Sequence, residues 1–319
     1  MIVTLTANPS VDRTMAIDRP IDRGEVFRAL SVGDEAGGKG VNVARAIAHA
    51  GTPAVAVLPA DDDDLLIRGL VEAGVHPVNV RVGRPSRVNI TVTEPDGTTT
   101  KFNDPGHEFS DAVLAALAGL LVTRSHGNDW VVLSGSLPPG APDGWYAELT
   151  ERLRSAGRRV AVDTSGAPLA AVAAAFVLPD LMKPNSEELA SLTDADPDAL
   201  ESEPAAAIDA ARALVDAGAG AVLLTLGAAG ALLVDADGAW QATPPSITVR
   251  STVGAGDASL SGYLLGDLRG LDAAGRLREA VAYGAAAASL PSSTMPRESD
   301  LDRDGVDVRP LRSISQTPR

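Results

Sequence analysis

Ser251-Thr252-Val253-Gly254-Ala255-Gly256-Asp257 runs directly into the small-residue helix Ala258-Ser259-Leu260-Ser261-Gly262-Tyr263-Leu264-Leu265. Gly254, Ala255 and Gly256 leave backbone N–H groups uncovered where the helix begins. Such an end carries about half a positive charge and suits an anion. An acid placed there, Asp257, has two readings. It is either an ordinary first-turn carboxylate or a base that takes a proton from a hydroxyl attacking the bound anion. The rest of the chain has to decide.

With 319 residues, 45% of them apolar, the chain can build one large α/β domain or two smaller ones. No composition break divides it. The net charge of −15 argues against a nucleic-acid partner and requires any anionic ligand to find locally concentrated cations. Of the 27 basic residues only Lys39, Lys101 and Lys183 are lysine. Against that background a lysine can mark a site that needs a compact ammonium on a flexible stem, although Lys101 also fits a plain surface strand. With no cysteine there is neither a disulfide framework nor a thiolate metal site. No long apolar run is present and Met1 to Thr6 lack a charged leader region, so a cytoplasmic location away from membranes is expected.

From the N-terminus, 2–7 reads as a strand ending in Asn8-Pro9-Ser10, with Asp12 just beyond. In open α/β sheets that carboxyl edge is where ligands bind. Segments 13–18 and 25–30 read as short strands with no helix after them, the pattern of a flap. Gly33-Asp34-Glu35-Ala36-Gly37-Gly38-Lys39-Gly40 then opens the helix 41–50. It nearly matches a P-loop, but Gly40 stands where a hydroxyl should hold Mg²⁺. A glycine-rich helix start for another anion, reached by Lys39 and faced by Asn42, fits better. Asp61 to Asp64 read as a solvated helix start rather than a metal site. Residues 77–82, 87–94 and 98–103 look like strands, the last two a hairpin around Pro95-Asp96-Gly97. Arg87 and Asn89 share one strand face, and Arg87 is either a phosphate fork or an exposed arginine.

From residue 110 helices and strands alternate with short loops, which implies a parallel sheet covered on both faces. Right-handed crossovers gather its strand ends on one edge, bringing Asp12, Ser136 and the residues after 183 together. Lys183-Pro184-Asn185-Ser186-Glu187-Glu188 opens a helix with Asn185 and Glu188 on one face. They read as hard oxygen ligands for Mg²⁺ or as a capping box. Gly227-Ala228-Ala229-Gly230 gives a turn that a nucleotide can approach closely. Residues 291–319 lack periodicity, and the end of this segment is expected to be mobile.

Taken together, Ala36-Gly37-Gly38-Lys39-Gly40-Val41-Asn42-Val43-Ala44 and Thr252-Val253-Gly254-Ala255-Gly256-Asp257 resemble the signatures of the PfkB (ribokinase-like) carbohydrate kinases. Asn8-Pro9-Ser10-Val11-Asp12, Ser134-Gly135-Ser136-Leu137-Pro138, Lys183 to Glu188 and Leu226 to Gly230 fit the same family in the same order. The resemblance covers about 1–290. It implies a ribokinase-like three-layer α/β/α sandwich with a mostly parallel central sheet. A small β-sheet lid would come from about 13–30 and 77–103, forming a single domain over 1–290.

The implied chemistry is ATP-dependent phosphorylation of a hexose phosphate. The branch with the Gly-Gly-Lys-Gly loop and Arg87-Val88-Asn89-Ile90 points first to fructose 1-phosphate. Fructose 6-phosphate and tagatose 6-phosphate stand as alternatives, as does a non-catalytic phosphosugar sensor on the same scaffold. By this resemblance Asp257 is the base, with the amides of Gly254, Ala255, Gly256 and Asp257 as an anion hole. Asp12, Gly38, Lys39, Asn42, Arg87, Asn89 and Ser136 line the sugar phosphate. Lys183, Asn185, Thr225, Gly227, Gly230 and Ser251 lie along ATP, and Asn185 and Glu188 hold Mg²⁺ through water. One position departs from the branch: Thr91, where a lysine is expected. A homodimer through the lid is implied as well.

Overall fold

The apolar runs of this chain fold as strands buried on both faces. The computed structural model describes residues 1–193 and 195–311. In chain order the first half comprises β1 (Ile2–Leu5), β2 (Ser10–Ala16), β3 (Ser31–Gly37), α1 (Lys39–His49), β4 (Ala54–Pro59), α2 (Leu65–Glu72), β5 (His76–Val80), β6 (Arg87–Thr93), β7 (Thr99–Phe102), α3 (Asp111–Arg124), β8 (Trp130–Ser134) and α4 (Trp145–Ser155). The second half comprises β9 (Arg159–Asp163), α5 (Gly166–Ala173), β10 (Leu181–Met182), α6 (Ser186–Thr193), α7 (Pro197–Ser202), α8 (Pro204–Asp216), β11 (Ala221–Thr225), β12 (Ala231–Asp235), β13 (Gly238–Thr243), α9 (Ala255–Leu268), α10 (Ala273–Ser289) and β14 (Asp307–Leu311).

Ten strands form one sheet in the order β14-β13-β12-β11-β10-β9-β8-β1-β4-β5, parallel from β11 to β5 and antiparallel beyond β11. Alternation along β8 shows why helices must cover both faces. Trp130 and Val132 enter the core beneath α1, α2, α9 and α10, while Val131 and Leu133 enter the one beneath α3 to α8. The result is the expected three-layer α/β/α arrangement with a mostly parallel sheet. No helix among the described residues is long and apolar enough to cross a membrane.

A second sheet, in the order β3-β2-β6-β7, contributes Ser10, Asp12, Arg87 and Asn89 to a cleft that residues at the carboxyl edge of the first sheet also line. Its composition corrects the expected lid. The strands are 10–16 and 31–37 rather than 13–18 and 25–30, and Val26 and Leu30 are exposed. Ser31-Val32-Gly33-Asp34-Glu35-Ala36-Gly37 carries no apolar alternation because it is the edge strand of a thin sheet and mostly meets water. Residues 76–80 do not belong to the lid, because β5 pairs with β4 at the edge of the large sheet. Two elements had no periodic signal: the short helix α7 and β14, which pairs with β13 through mixed polar residues. The chain beyond 290 therefore contributes a strand. Its last residues, 312–319, on which the expectation of mobility falls, lie outside the described residues.

The Gly38-Lys39-Gly40 segment shows why the P-loop pattern does not apply. A Cβ at Gly40 would lie 2.5 Å from Thr6 Oγ1 and 2.6 Å from the Leu5 carbonyl oxygen. The first turn of α1 thus rests directly on the end of β1, and no side chain fits between them. Gly40→Ser should lower stability by about 1–3 kcal/mol through overpacking, read as a lower urea midpoint at unchanged slope. An unchanged midpoint would show that α1 can shift aside freely.

Candidate active site

The parallel strands end along one edge, and a cleft of about 1060 Å³ opens there beneath the lid. Every residue expected at the site lines it except Ser251. The Ser251 hydroxyl instead accepts from the Val253 N–H, 3.2 Å away, and so shapes the turn that leads into α9.

At the centre lies a buried group of charges. Asp163 ends β9, where strand geometry delivers its side chain to the edge. Its Oδ1 accepts from Lys39 Nζ at 2.7 Å, and its Oδ2 lies 3.2 Å from Lys183 Nζ. Burial alone would push the Asp163 carboxyl up, but Lys183 and Lys39 hold it below the usual carboxylate range. Lys39 also lies 3.9 Å from Glu188 Oε1. Burial would depress its ammonium, yet Asp163, Asp257 and Glu188 keep it above the ordinary lysine value. Two of the three lysines therefore share one buried carboxylate.

Asp257 sits in the first turn of α9, only 6% exposed, and its Oδ2 accepts from Asn42 Nδ2 at 2.8 Å. Burial, and then the negative charge of Asp163, push its carboxyl up to about 6, with Lys39, Asn42 and Lys183 opposing. Asn42 lines the cleft, and its Oδ1 is buried and finds no partner among the described residues. Gly254 caps α9 at φ 79, a left-handed conformation that glycine adopts without strain. Among the described residues, the N–H groups of Gly254, Gly256 and Asp257 meet no backbone acceptor. The Ala255 N–H points to the Thr252 carbonyl at 3.3 Å, so the expected set of four amides narrows to three.

Toward β10 and β11, Asn185 Oδ1 accepts from the Glu188 N–H at 2.7 Å, and Glu188 Oε2 accepts from the Asn185 N–H at 2.9 Å. The capping-box reading is therefore realised. Glu188 Oε1 stays outside the box and faces Lys39 across the cleft. No group of three His, Cys, Asp or Glu side chains able to hold a metal exists among the described residues. This donor set fits a hard ion that keeps its waters and shares phosphate oxygens, and it does not fit an all-protein cage. Thr225, Gly227 and Gly230 follow along the cleft, with Gly227 opening a 3₁₀ turn.

Under the lid, Asn89 on β6 pairs in register with Asp12 on β2, and Asn89 Nδ2 donates to Asp12 Oδ1 at 3.0 Å. Arg87 donates to the carbonyls of Asn8, Pro9 and Asp104, which ties the lid to the main sheet. Ser136 accepts from Asn8 Nδ2 at 3.4 Å. Gly38, at φ 113, forms the bend between β3 and α1.

The sequence reading missed Asp163, although Asp-Thr-Ser at the end of a buried strand on the ligand edge was a usable signal. It also missed the apolar wall of Ile247, Val281, Ala285 and Ala288, which comes from helix and loop faces that only the fold assembles.

A family model described as "pfkB family carbohydrate kinase" matches residues 5–299. The chain belongs to the pfkB family of carbohydrate kinases. Among its pfkB relatives, the 1-phosphofructokinase of Xanthomonas campestris pv. campestris is 39% identical over 286 residues, covering 87% of this chain and 88% of that protein. The 1-phosphofructokinase of Haloferax volcanii is 34% identical over 319 residues, 98% of this chain and all 100% of its own length. Phosphofructokinase-2 from Escherichia coli, crystallised in complex with substrates and products, matches with a TM-score of 0.86 and 32% identity over 94% of this chain and 96% of that one. As a pfkB kinase the protein is an ATP-dependent phosphotransferase acting on carbohydrate.

The raised Asp257 has a thermodynamic signature. Its folded value near 6 exceeds the ordinary one near 4, so its contribution to stability is complete below about pH 4 and lost as pH rises through about 6. Asp257→Asn, which buries no charge, should exceed the native chain in stability at pH 8 by on the order of 2–3 kcal/mol. Urea unfolding across pH should show that gap closing toward pH 4, and a gap independent of pH would refute the burial account.

Proposed function

We propose that this kinase transfers the γ-phosphoryl group of ATP to a hydroxyl of a hexose phosphate, converting fructose 1-phosphate to fructose 1,6-bisphosphate. The observation that carries the reading is Asp257. It is a buried carboxylate with a raised pKa, in the first turn of α9 among free helix amides and beside two lysines. A structural carboxylate gains nothing from such a place, whereas a base for a hydroxyl needs it.

In this reading the sugar lies between Asp257, Asn42 and the lid residues Asp12 and Asn89. Asp257 takes the proton as the hydroxyl oxygen bonds to the γ-phosphorus, and the bond to the β–γ bridging oxygen breaks to release ADP. Charge spreads over the transferring oxygens in a loose transition state. The amides of Gly254, Gly256 and Asp257 and the ammonium groups of Lys39 and Lys183 are positioned to oppose that charge. Glu188 and Asn185 would hold Mg²⁺ through its waters, and the ion would supply further positive charge to the phosphate oxygens. The lid excludes water that would otherwise compete with the sugar hydroxyl.

Asp257→Asn should retain ATP and sugar-phosphate affinity while kcat falls by about 10²- to 10⁴-fold. In the native enzyme kcat/KM should drop below about pH 6 as the base protonates. An ADP-release assay over fructose 1-phosphate, fructose 6-phosphate, tagatose 6-phosphate, fructose and ribose should favour the first. Preference for another phosphosugar reassigns the substrate. Tight phosphosugar binding with no turnover of any acceptor would point to a sensor.

We also infer a homodimer through the lid. On the face away from the cleft, Phe102 beside Ile90 and Val32 beside Met15 leave apolar surface, with Phe102 58% and Val32 56% exposed. Sedimentation should give twice the chain mass, with Phe102→Asp shifting the protein to monomer. A native monomer at micromolar concentration would refute the inference.

A further inference from the structure

After α10 the chain runs through Pro291-Ser292-Ser293-Thr294-Met295-Pro296-Arg297 without helix or strand. Irregular segments are usually loosely held, yet this one is tied to three elements. The buried Ser293 hydroxyl donates to Glu35 Oε2 on β3 at 2.7 Å. The Met295 carbonyl lies 3.2 Å from His49 Nδ1 on α1, and since a carbonyl can only accept, the Nδ1–H donates to it. Ser292, at φ 55, is the only residue besides glycine with a positive φ among the described residues. Such strain persists only where the surroundings impose it.

The third tie is the Met295 side chain. It is 1% exposed, and a Cβ added at Gly254 would come within 2.5 Å of its Cε and 3.9 Å of Asn42 Nδ2. The Met295 methyl therefore lies directly against the backbone of the α9 N-cap. One stripe of α1 serves all of these contacts. Asn42, Arg45 and His49 are spaced by three and four and share a helix face. Asn42 donates to the Asp257 carboxylate, Arg45 approaches Glu35 Oε2 at 3.5 Å, and His49 holds the Met295 carbonyl.

We propose that Met295 is a positioning residue for phosphoryl transfer. It seats Gly254 and so aims the free amides of Gly254, Gly256 and Asp257, while Ser293 and His49 fix the segment that carries it. The inference rests on the reading of these amides as the anion hole. Met295 does not line the cleft, so it acts only through the turn it packs against. Gly254 holds a left-handed conformation with no side chain of its own to resist rotation of that turn. An unbranched thioether fills the irregular space behind it and supplies the resistance. Aim matters because a donor stabilises the transferring oxygens only within hydrogen-bond geometry, and a 1 Å misplacement can cost about 10²-fold in rate. Asn42 meets both Gly254 and Asp257, so base and amides are set against one shared support.

The test is steady-state kinetics on the full-length enzyme with ATP and fructose 1-phosphate. Met295→Ala should lower kcat at least about tenfold, with both KM values changing less than about threefold. Met295→Leu, which keeps the volume, should stay within about threefold of native kcat. Ser293→Ala should lower kcat about three- to tenfold, and adding it to Met295→Ala should cost nothing further, because both act through one contact. A kcat within about twofold of native in Met295→Ala overturns the proposal, as does a loss that falls on KM or one that Met295→Leu does not rescue. Should Met295→Ala fail to fold, Ser293→Ala decides, and native kcat there overturns the proposal. Binding of ADP with aluminium fluoride, a mimic of the transferring phosphoryl group, separates two failures. If fluoride adds nothing to the native enzyme's affinity for ADP, the anion-hole reading falls. If it does add affinity and Met295→Ala keeps all of it, only the Met295 assignment falls.

Discussion

A carboxylate with no access to water has to be neutralised, and Asp163 is such a carboxylate. Left alone at the end of β9 it would cost several kcal/mol or take up a proton. Lys39 and Lys183 come to it from different places, one from the start of α1 and the other from the end of β10. Satisfying one buried charge therefore fixes the glycine-rich helix start, the centre of the sheet and the strand leading to α6 in a single arrangement. The pairing also explains why lysine stands at these positions in an arginine-rich chain. Two compact ammonium groups can share one carboxylate, where two planar forks would compete for its oxygens.

The same cluster sets the state of Asp257. Asp163 and burial raise it, while the two lysines and Asn42 restrain the rise, so the carboxyl comes to rest near 6. A base at that value is mostly ionised at neutral pH and still holds a proton well enough to accept one during reaction. The cost is stability, because the charge is buried when it is most useful. Free amides at the start of α9 and an unpartnered Asn42 Oδ1 are further polar groups left unsatisfied. Such groups gather where a ligand is to complete them.

Much of this was legible in the sequence because it obeys local rules. Alternating strand and helix from residue 110 implied a parallel sheet, and the ligand edge then followed from handedness. What was hidden depends on partners distant in the chain. The β3 strand has no apolar alternation because it is thin, exposed and polar, and β14 is recognisable only once β13 offers an edge. Segment 77–82 announces a strand but not its sheet, since nothing local distinguishes pairing with β4 from pairing with β6. The spacing of Asn185 and Glu188 suits a capping box and a pair of oxygen ligands alike. The geometry needs no choice between them, because the box uses Asn185 Oδ1 and Glu188 Oε2 and leaves Oε1 to the cleft.

Arg87 shows how a residue can keep its place and change its work. On sequence alone its fork suits a phosphate, and it does line the cleft. Yet its donors reach Asn8, Pro9 and Asp104, carbonyls that flank the junction of lid and main sheet. Those carbonyls would otherwise be half-buried acceptors without partners, and burial already weighs against the guanidinium's charge. Satisfying them makes Arg87 a strut that sets the angle of β6, and through β6 the positions of Asn89 and Asp12. All three of its donor nitrogens are thus committed to the frame that carries the cleft-lining face of β6.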